Sequence, residues 1–571
     1  LDTRRVDPAD EVPEPAGRDP RGHLHFDVDV EEAAEVARDA VVVALVPGPV
    51  APGEELDRPA SISVAAVSRV PQGALGIRVF HVEGRRPALR RLLEADGSGE
   101  GVVLGVDGRD DRGDTGAAEM LERLDVIERS SGQSWIGADR MRRALAGDID
   151  AMDAAIRDDF GHRSTHENLV SEVMIVLAEI DHALANLRRW MRPRRVAVGW
   201  RFWPARAEIR PMPVGVVGII APWNYPVNLA LVPLVSAIAA GNHVYLKPSE
   251  HTPRTSAWLR ALLARIFPAD RVAVALGGPQ LGAAFAALAF DHLLFTGSTA
   301  TGRKVAAAAA PNLTPVTLEL GGKAPALVAP DFPLDVAAAR IASGKWFNAG
   351  QTCIGVDYAL IDAPRRDAFV DALTKVLRAR YDDPSMADDY TRVINDGQYR
   401  RLVGYVDEAR ARGARVIEPI AFDGAHARLF TPTLVLDAPD DSALMREEIF
   451  GPILPIRTYR TVDEAIAWIN AHDRPLALYP FSHEPGTVER IIQQTLSGGV
   501  SVNDTLLHFG VHALPFGGIG PSGSGAIHGR TGFATFSKLL PVFRQSRWAA
   551  SDWIRPPYRG FVDRLIRFLA K

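Results

Sequence analysis

The chain has 571 residues and a mass of 61.9 kDa, with 47% hydrophobic and 24% charged residues. That allows a large core and more than one domain. Its 65 basic and 70 acidic residues give a net charge of −5, which argues against nucleic acid as the main partner. The only cysteine is Cys353. This excludes an intrachain disulfide framework and any zinc or iron–sulfur site built on clustered cysteines, and it fits a reducing compartment. A lone thiol is either a small core residue or a nucleophile, and composition does not decide.

Arginine outnumbers lysine 58 to 7, and the first lysine is Lys247; with the heavy Ala, Gly, Pro and Val usage, this reads as the imprint of a GC-rich genome. Residues 1–22 are polar and Pro-rich, without the apolar run of a targeting signal. The chain begins with Leu1, which reads as a non-AUG start or an upstream-misplaced one. Residues 1–60 are acidic and Pro-interrupted and are expected to be mobile. Residues 1–116 hold 14 Arg against 23 Asp and Glu, a net charge of −9. The stretches Ile62–Val67 and Val102–Val106 have strand composition, but this extension carries no motif.

From about residue 117 the pattern becomes helical. Leu169, Val173, Ile175, Val176, Ile180 and Leu184 recur at helical spacing up to Trp190, with charges expected on the other face, and Pro193 ends the element. The stretch Pro211–Leu246 has no Asp, Glu, Lys or Arg. A membrane span is disfavoured by Pro213, Pro222, Pro226 and Pro233. The better reading is a buried strand (Val214–Ile220), a loop, a packed helix (Val227–Ala240) and a second strand (His243–Lys247). Alternation then continues with Val272–Leu276, a helix over Leu281–Ala287, His292–Phe295 and a helix from Thr301 to Ala310. This is the βαβ rhythm of a doubly wound α/β domain. The fifteen histidines show no metal-ligand spacing, so no metal is expected.

Five short motifs punctuate this region. Ala221-Pro222-Trp223-Asn224 lies past the end of a buried strand, where open α/β sheets place ligands, and its Asn224 amide can donate to an oxyanion or simply form a turn. Lys247-Pro248-Ser249-Glu250 ends the next strand, and its charges suit ribose or phosphate oxygens, or a solvated turn. Thr296-Gly297-Ser298 leads into a helix whose first N–H groups make either an anion site or a plain cap. Leu318-Glu319-Leu320-Gly321-Gly322-Lys323 sets one carboxylate between leucines; burial would raise its pKa toward general-base work. Asn348-Ala349-Gly350-Gln351-Thr352-Cys353 puts the sole thiol after a glycine turn.

Together, and in this order, the motifs resemble the aldehyde dehydrogenase superfamily over about residues 117–545. Glu447-Glu448-Ile449-Phe450-Gly451-Pro452 and Leu514-Pro515-Phe516-Gly517-Gly518 strengthen the resemblance. The run from Ser522-Gly523 to His528-Gly529 looks like the class 3 branch. Asp159-Phe160-Gly161-His162-Arg163-Ser164 and Trp190-Met191-Arg192-Pro193 look similar to bacterial coniferyl-aldehyde dehydrogenases.

The resemblance implies an α/β fold with a Rossmann-type cofactor domain (117–319), an α/β catalytic domain (320–500), a return to the cofactor domain (501–571) and a β-hairpin oligomerisation arm near 192–212. It further implies a cytoplasmic, homodimeric enzyme that oxidises aldehydes to acids with NAD, or with NADP as second choice. Cys353 would be the nucleophile, Asn224 the oxyanion donor and Glu319 the base. Trp223, Lys247, Glu250, Gly297, Ser298, Glu448 and Phe450 would line the cofactor site. Glu250 favours NAD by repelling a 2′-phosphate.

Departures from the family pattern are Ile354-Gly355-Val356 in place of Val-Ala-Pro, expected to loosen the loop behind the nucleophile, Ala526-Ile527-His528-Gly529, which alters the rim of the substrate tunnel, and Ser130–Ile136, which does not look like the usual early helices. The C-terminal Phe561, Leu565, Phe568 and Leu569 share a helical face, which reads as docking on the body or on a dimer partner, with peripheral membrane contact the lesser reading. Alternative functions are a CoA-acylating aldehyde dehydrogenase, against which Glu319 argues, a non-catalytic dinucleotide-binding protein, and a cysteine hydrolase, for which no Cys/His signature exists.

Overall fold

The computed structural model describes residues 41–44, 60–69, 75–84, 131–382, 389–422, 427–549, 555–556 and 560–570. The chain divides into a unit up to Asp114 and a second from Thr115 on. In the first, β1 (Val41–Ala44), β2 (Ala60–Arg69) and β3 (Leu75–Gly84) form an antiparallel meander. β1 falls inside the stretch expected to be mobile, where Val41-Val42-Val43 has the β-branched make-up of a strand. β2 contains the expected strand Ile62–Val67; Val102–Val106 and residues 117–130 lie outside the described residues.

The second unit opens with helices Ser131–Ala146 and Ile149–Phe160, so the atypical segment Ser130–Ile136 is helical from Ser131 on. A wide i→i+5 turn, Leu169–Met174, then leads into the helix Ile175–Trp190. Val173, Val176, Ile180 and Leu187 are buried as the periodicity requires. The expectation that charges keep to the other face fails at Glu172 and Glu179, both buried on the apolar side. Each has partners there: Glu172 meets Arg163, and Glu179 meets His512 and the Gly529 N–H.

β4 (Arg194–Val196) and β5 (Arg206–Pro213) pair antiparallel. β6 (Val216–Ile220), β7 (His243–Lys247), β8 (Val272–Val274), β9 (His292–Gly297) and β10 (Val316–Leu320) form a parallel sheet in the order β10-β9-β6-β7-β8. Every residue of β6 is buried, as is the whole helix Asn228–Ala239. This is why the sequence between Pro211 and Leu246 carries no charge: a parallel strand and its crossover helix are covered on both sides.

A second sheet takes β11 (Pro325–Val328), β12 (Tyr358–Asp362), β13 (Arg415–Ile417), β14 (Thr433–Leu436), β15 (Ile453–Tyr459), β16 (Ala477–Phe481) and β17 (Gly499–Val500), in the order β13-β14-β15-β12-β11-β16-β17. Only β13 runs antiparallel. The chain then returns: β18 (Gly523–Ser524) pairs with β10, and β19 (Ser537–Arg544) pairs with β5 residue by residue from Ser537↔Pro213 to Arg544↔Arg206. Leu539 and Phe543 of this β19-β5-β4 sheet, and Phe202 and Trp203 in the connection between β4 and β5, are exposed.

The C-terminal helix Gly560–Leu569 turns Val562 inward but leaves Phe561 62% and Phe568 72% exposed. Of the face expected to dock, Phe561 and Phe568 therefore point to solvent. Among the described residues no helix is long and apolar enough to cross a membrane.

Candidate active site

The chain leaves β6 toward β7 and β8, then crosses back to lay β9 and β10 on the other side of β6. This reversal makes a crevice at the carboxyl ends of the strands, the usual ligand position in such sheets. Asn224 lies four residues beyond β6, Lys247 and Gly297 end β7 and β9, and Glu319 is the penultimate residue of β10. The sequence motifs therefore gather at one edge because topology brings strand ends there.

Cys353 follows a loop whose backbone is bent left-handed at three consecutive residues, Asn348 (φ 53°), Ala349 (φ 50°) and Gly350 (φ 73°). For the two non-glycine residues this costs on the order of 1–2 kcal/mol each. Hydrogen bonds hold the bend: Gln351 Nε2 donates to Asn348 O, and Asn348 Nδ2 donates to Gln351 O and to Asn224 O. Gly350 has a second reason to be glycine, since a Cβ there would lie 2.3 Å from the Gly451 carbonyl oxygen. Behind the thiol, Gly355 N–H donates to Thr352 O, Val356 N–H to Gly344 O and Asp357 N–H to Ala324 O. The loop is therefore not loosened by the missing proline, because Val356 supplies an N–H that proline lacks.

Asn224 is buried, and its Nδ2 donates to Gln351 O at 3.0 Å. A carboxamide nitrogen has two hydrogens, so one remains for another acceptor. Tyr225 Oη shares a hydrogen bond with Thr352 Oγ1 at 2.6 Å. These contacts fix Asn224 beside the nucleophile loop across a sequence gap of more than a hundred residues. Cys353 is partly open to solvent, and the neighbouring backbone N–H groups of Ile354 and Cys353 favour its ionised form. Burial, then the nearby carboxyls of Glu448 and Glu319, push the thiol up to about 12.

Glu319 is buried, and neither of its carboxyl oxygens has a hydrogen-bond partner. Burial alone lifts its pKa well above the usual carboxylate range. Glu448 is raised to about 8, first by burial and then by Asp357, while the Gly322 N–H opposes the shift. Its Oε1 also lacks a donor. The glycine at 321 is what admits it, because a Cβ there would sit 2.1 Å from Glu448 Oε1. Phe450 adopts φ 48° and meets Trp223 edge-on, 5.4 Å between ring centroids.

The remaining candidates lie along the same strand edge. Lys247 is buried and bonds Glu250 Oε2 at 2.6 Å, an ion pair that lowers the Glu250 pKa against the opposing effect of burial. The Ser298 hydroxyl caps the helix Thr299–Ala309 by accepting from Thr301 N–H, so its side chain serves the cap. Asn224, Cys353, Glu319, Glu448, Phe450 and Trp223 come together, and Lys247 with Glu250 forms a separate pair.

The family model described as the aldehyde dehydrogenase family matches residues 139–540. The chain belongs to this family. A Pseudomonas aeruginosa protein named "Probable coniferyl aldehyde dehydrogenase" is 48% identical over 432 residues, 76% of this chain and 90% of that one. The mouse (Mus musculus) "Aldehyde dehydrogenase, dimeric NADP-preferring" is 40% identical over 419 residues, 73% of this chain and 88% of that one. A solved structure titled "Substrate bound state of Staphylococcus Aureus AldH" superposes with a TM-score of 0.74 at 36% identity, covering 80% of this chain and 98% of that one. The protein is an aldehyde dehydrogenase with the family's mixed α/β fold.

Sequence reasoning missed the support behind this aldehyde dehydrogenase's site. Glu167 accepts from the Asn348 N–H and from Thr391 Oγ1 and is raised to about 7 by burial. Arg163, fully buried, reaches Asn224 O. A signal did exist: Glu172, which pairs with Arg163, interrupts the apolar face of its helix. A charge on such a face implies a buried partner.

Proposed function

We propose that this aldehyde dehydrogenase oxidises an aromatic aldehyde such as coniferaldehyde, or a medium-chain aliphatic one, to the carboxylic acid through a thioester on Cys353. The observation that carries this reading is the buried, unpartnered Glu319 carboxyl acting on the Cys353 thiol, with the Asn224 amide tied to the same loop. The Cys353 thiol passes its proton to solvent, to which it is partly open, and the resulting thiolate adds to the carbonyl carbon while the carbonyl electron pair moves to oxygen. The Asn224 amide N–H not used by Gln351 donates to that oxyanion, and the Cys353 backbone N–H joins it once the sulfur gives up its charge to the new S–C bond.

A nicotinamide dinucleotide supplies the hydride acceptor. The residues fit it: Glu448 Oε1 is an orphaned acceptor suited to ribose hydroxyls, flanked by Phe450 and Trp223. Gly297 and Ser298 stand at a helix start suited to pyrophosphate. Lys247 and Glu250 would hold the adenine ribose, and the ionised Glu250 favours NAD over NADP. Glu319, a stronger base than an ordinary carboxylate, then takes a proton from the water that hydrolyses the thioester.

We assign residues 117–319 with 501–571 to the cofactor side and 320–500 to the catalytic side; the grouping of β6–β10 with β18 in one sheet and β11–β17 in another supports this division. The exposed β19-β5-β4 sheet suits a homodimer arm. Steady-state kinetics following NADH and NADPH separately, over aliphatic and aromatic aldehydes with and without CoA, tests the reading. NADH formation with release of free acid is expected. Product only in the presence of CoA, or no reduction at all, would overturn it.

A further inference from the structure

The Asp159–Ser164 motif, which no step of the reaction uses, ends in a cation withdrawn from water. Arg163 is 0% exposed. Its Nη1 donates to Glu172 Oε1 at 3.1 Å and to the backbone carbonyl of Asn224 at 2.9 Å, and its Nη2 donates to Ser171 Oγ at 3.2 Å. The guanidinium lies 5.0 Å from the ring centres of both Phe160 and Tyr225. Its partner Glu172 is equally buried, and the second carboxylate oxygen takes the N–H groups of Val227 at 3.2 Å and Asn228 at 2.7 Å. One ion pair thus holds the loop at Asn224 and again at the start of the next helix.

A buried ion pair is weak evidence of stabilisation, since well-packed apolar side chains often do as well. Here Arg163 Nε also has no hydrogen-bond partner, so the arrangement carries an uncompensated desolvation cost. What an apolar replacement could not supply is a donor to the Asn224 carbonyl. That carbonyl takes one bond from Arg163 and one from Asn348 Nδ2, so the residue bearing the oxyanion donor is clamped from two sides.

We infer that Arg163, held by Glu172, is a positioning residue for aldehyde oxidation, fixing the backbone of Asn224 so that its side-chain amide meets the developing oxyanion. The inference rests on the reading of Asn224 as oxyanion donor. A small displacement of such a donor costs transition-state stabilisation while leaving ground-state substrate binding almost unchanged.

The test is a double-mutant cycle on the full chain. Arg163→Met and Asn224→Ala are made singly and together, and single-turnover NADH formation is measured with thermal unfolding alongside. Asn224→Ala is expected to slow acylation by about 10²–10³-fold. Arg163→Met should slow it by at least about tenfold with little change in KM. In the Asn224→Ala background, the Arg163→Met step should cost less than about twofold. Alkylation of Cys353 by iodoacetamide without nucleotide should change by no more than about twofold, since the thiol itself is not the target.

An equal cost of Arg163→Met in both backgrounds would overturn the inference, as would an Arg163→Met enzyme acylating at the wild-type rate. An Asn224→Ala enzyme with unchanged acylation would remove the reading beneath it and this inference together, a distinguishable outcome. If the methionine variant fails to fold, Arg163→Lys takes its place on both backgrounds. It keeps the charge but loses the forked geometry and must show the same non-additivity.

Discussion

Glu172 and Glu319 are both carboxyls withdrawn from water, one beside the Asn224 segment and one near the nucleophile. Glu172 meets a guanidinium and two backbone N–H groups, whereas neither oxygen of Glu319 meets a donor. Burial raises the pKa of both, but at Glu172 the Arg163 charge and the backbone bonds oppose the shift, and at Glu319 nothing does. A carboxyl with all its bonds made is a fixture; one with none is a base waiting for a proton. The wall that presents Asn224 is therefore rigid by construction, while the wall that presents Glu319 and Glu448 is chemically open.

The sharpest test of this contrast removes the atom between the two walls. Cys353→Ala is expected to abolish NADH formation entirely, and residual turnover near the wild-type rate would rule out thioester chemistry. Glu319→Gln should act later. A pre-steady-state burst of NADH should survive while steady-state turnover falls by roughly 10²-fold or more, within the range for loss of a general base. In the wild type the hydrolytic step should accelerate as pH rises above the usual carboxylate range, because a carboxyl held above that range by burial serves as a base only as it ionises. The Gln variant should lose that rise, as quenched-flow measurement of acyl-enzyme decay would show.

On the braced wall the same kind of change should act on folding. Glu172→Ala strands the Arg163 charge, and urea unfolding should report a loss of about 3–5 kcal/mol, the usual consequence of breaking a buried pair. A loss below about 1 kcal/mol, no more than a surface pair is worth, would mean the two walls are not as different as their bonds suggest.

Smaller effects are expected where charge rather than bonding is altered. Glu448, with a pKa of about 8, presses on the thiol once ionised. Glu448→Gln should therefore raise the iodoacetamide reactivity of Cys353 several-fold above pH 8 and change it little at pH 6. The smallest effect should come from Glu167, whose carboxyl is raised to about 7 in the folded chain. A raised pKa gives stability that is fully present below the unfolded value near 4.5 and is lost as pH climbs through about 7. Between those limits the melting temperature of Glu167→Gln should vary less with pH than that of the wild type. Parallel curves would show that Glu167 does not titrate there.

The parallel sheet was legible because β6 and its crossover helix carry no charge and are buried along their whole length, a pattern that burial on both sides explains. Asn224, Glu319 and Cys353 stood out because each belongs to a short motif and the motifs follow one another in a fixed order. The roles of Glu167 and Arg163 were not legible, because a charged side chain looks the same in sequence whether it meets water or a backbone group more than fifty residues away; only Glu172, interrupting an apolar helix face, hinted at a buried partner. Asn348 and Ala349 bend left-handed without the glycine that normally announces such a bend. The predicted helix up to Trp190 was right in extent, but its polar face was misjudged at the two glutamates that anchor it.

The close approach of Gly350 to the Gly451 carbonyl has a mechanical meaning. The nucleophile's loop and the segment bearing Glu448 and Phe450 rest on each other like two gear teeth with no clearance. A methyl group added at Gly350 would meet the Gly451 carbonyl first, one residue after Phe450 and three after Glu448. A variant designed to shift the thiol through Gly350 would therefore press on the backbone that carries the cofactor-side residues.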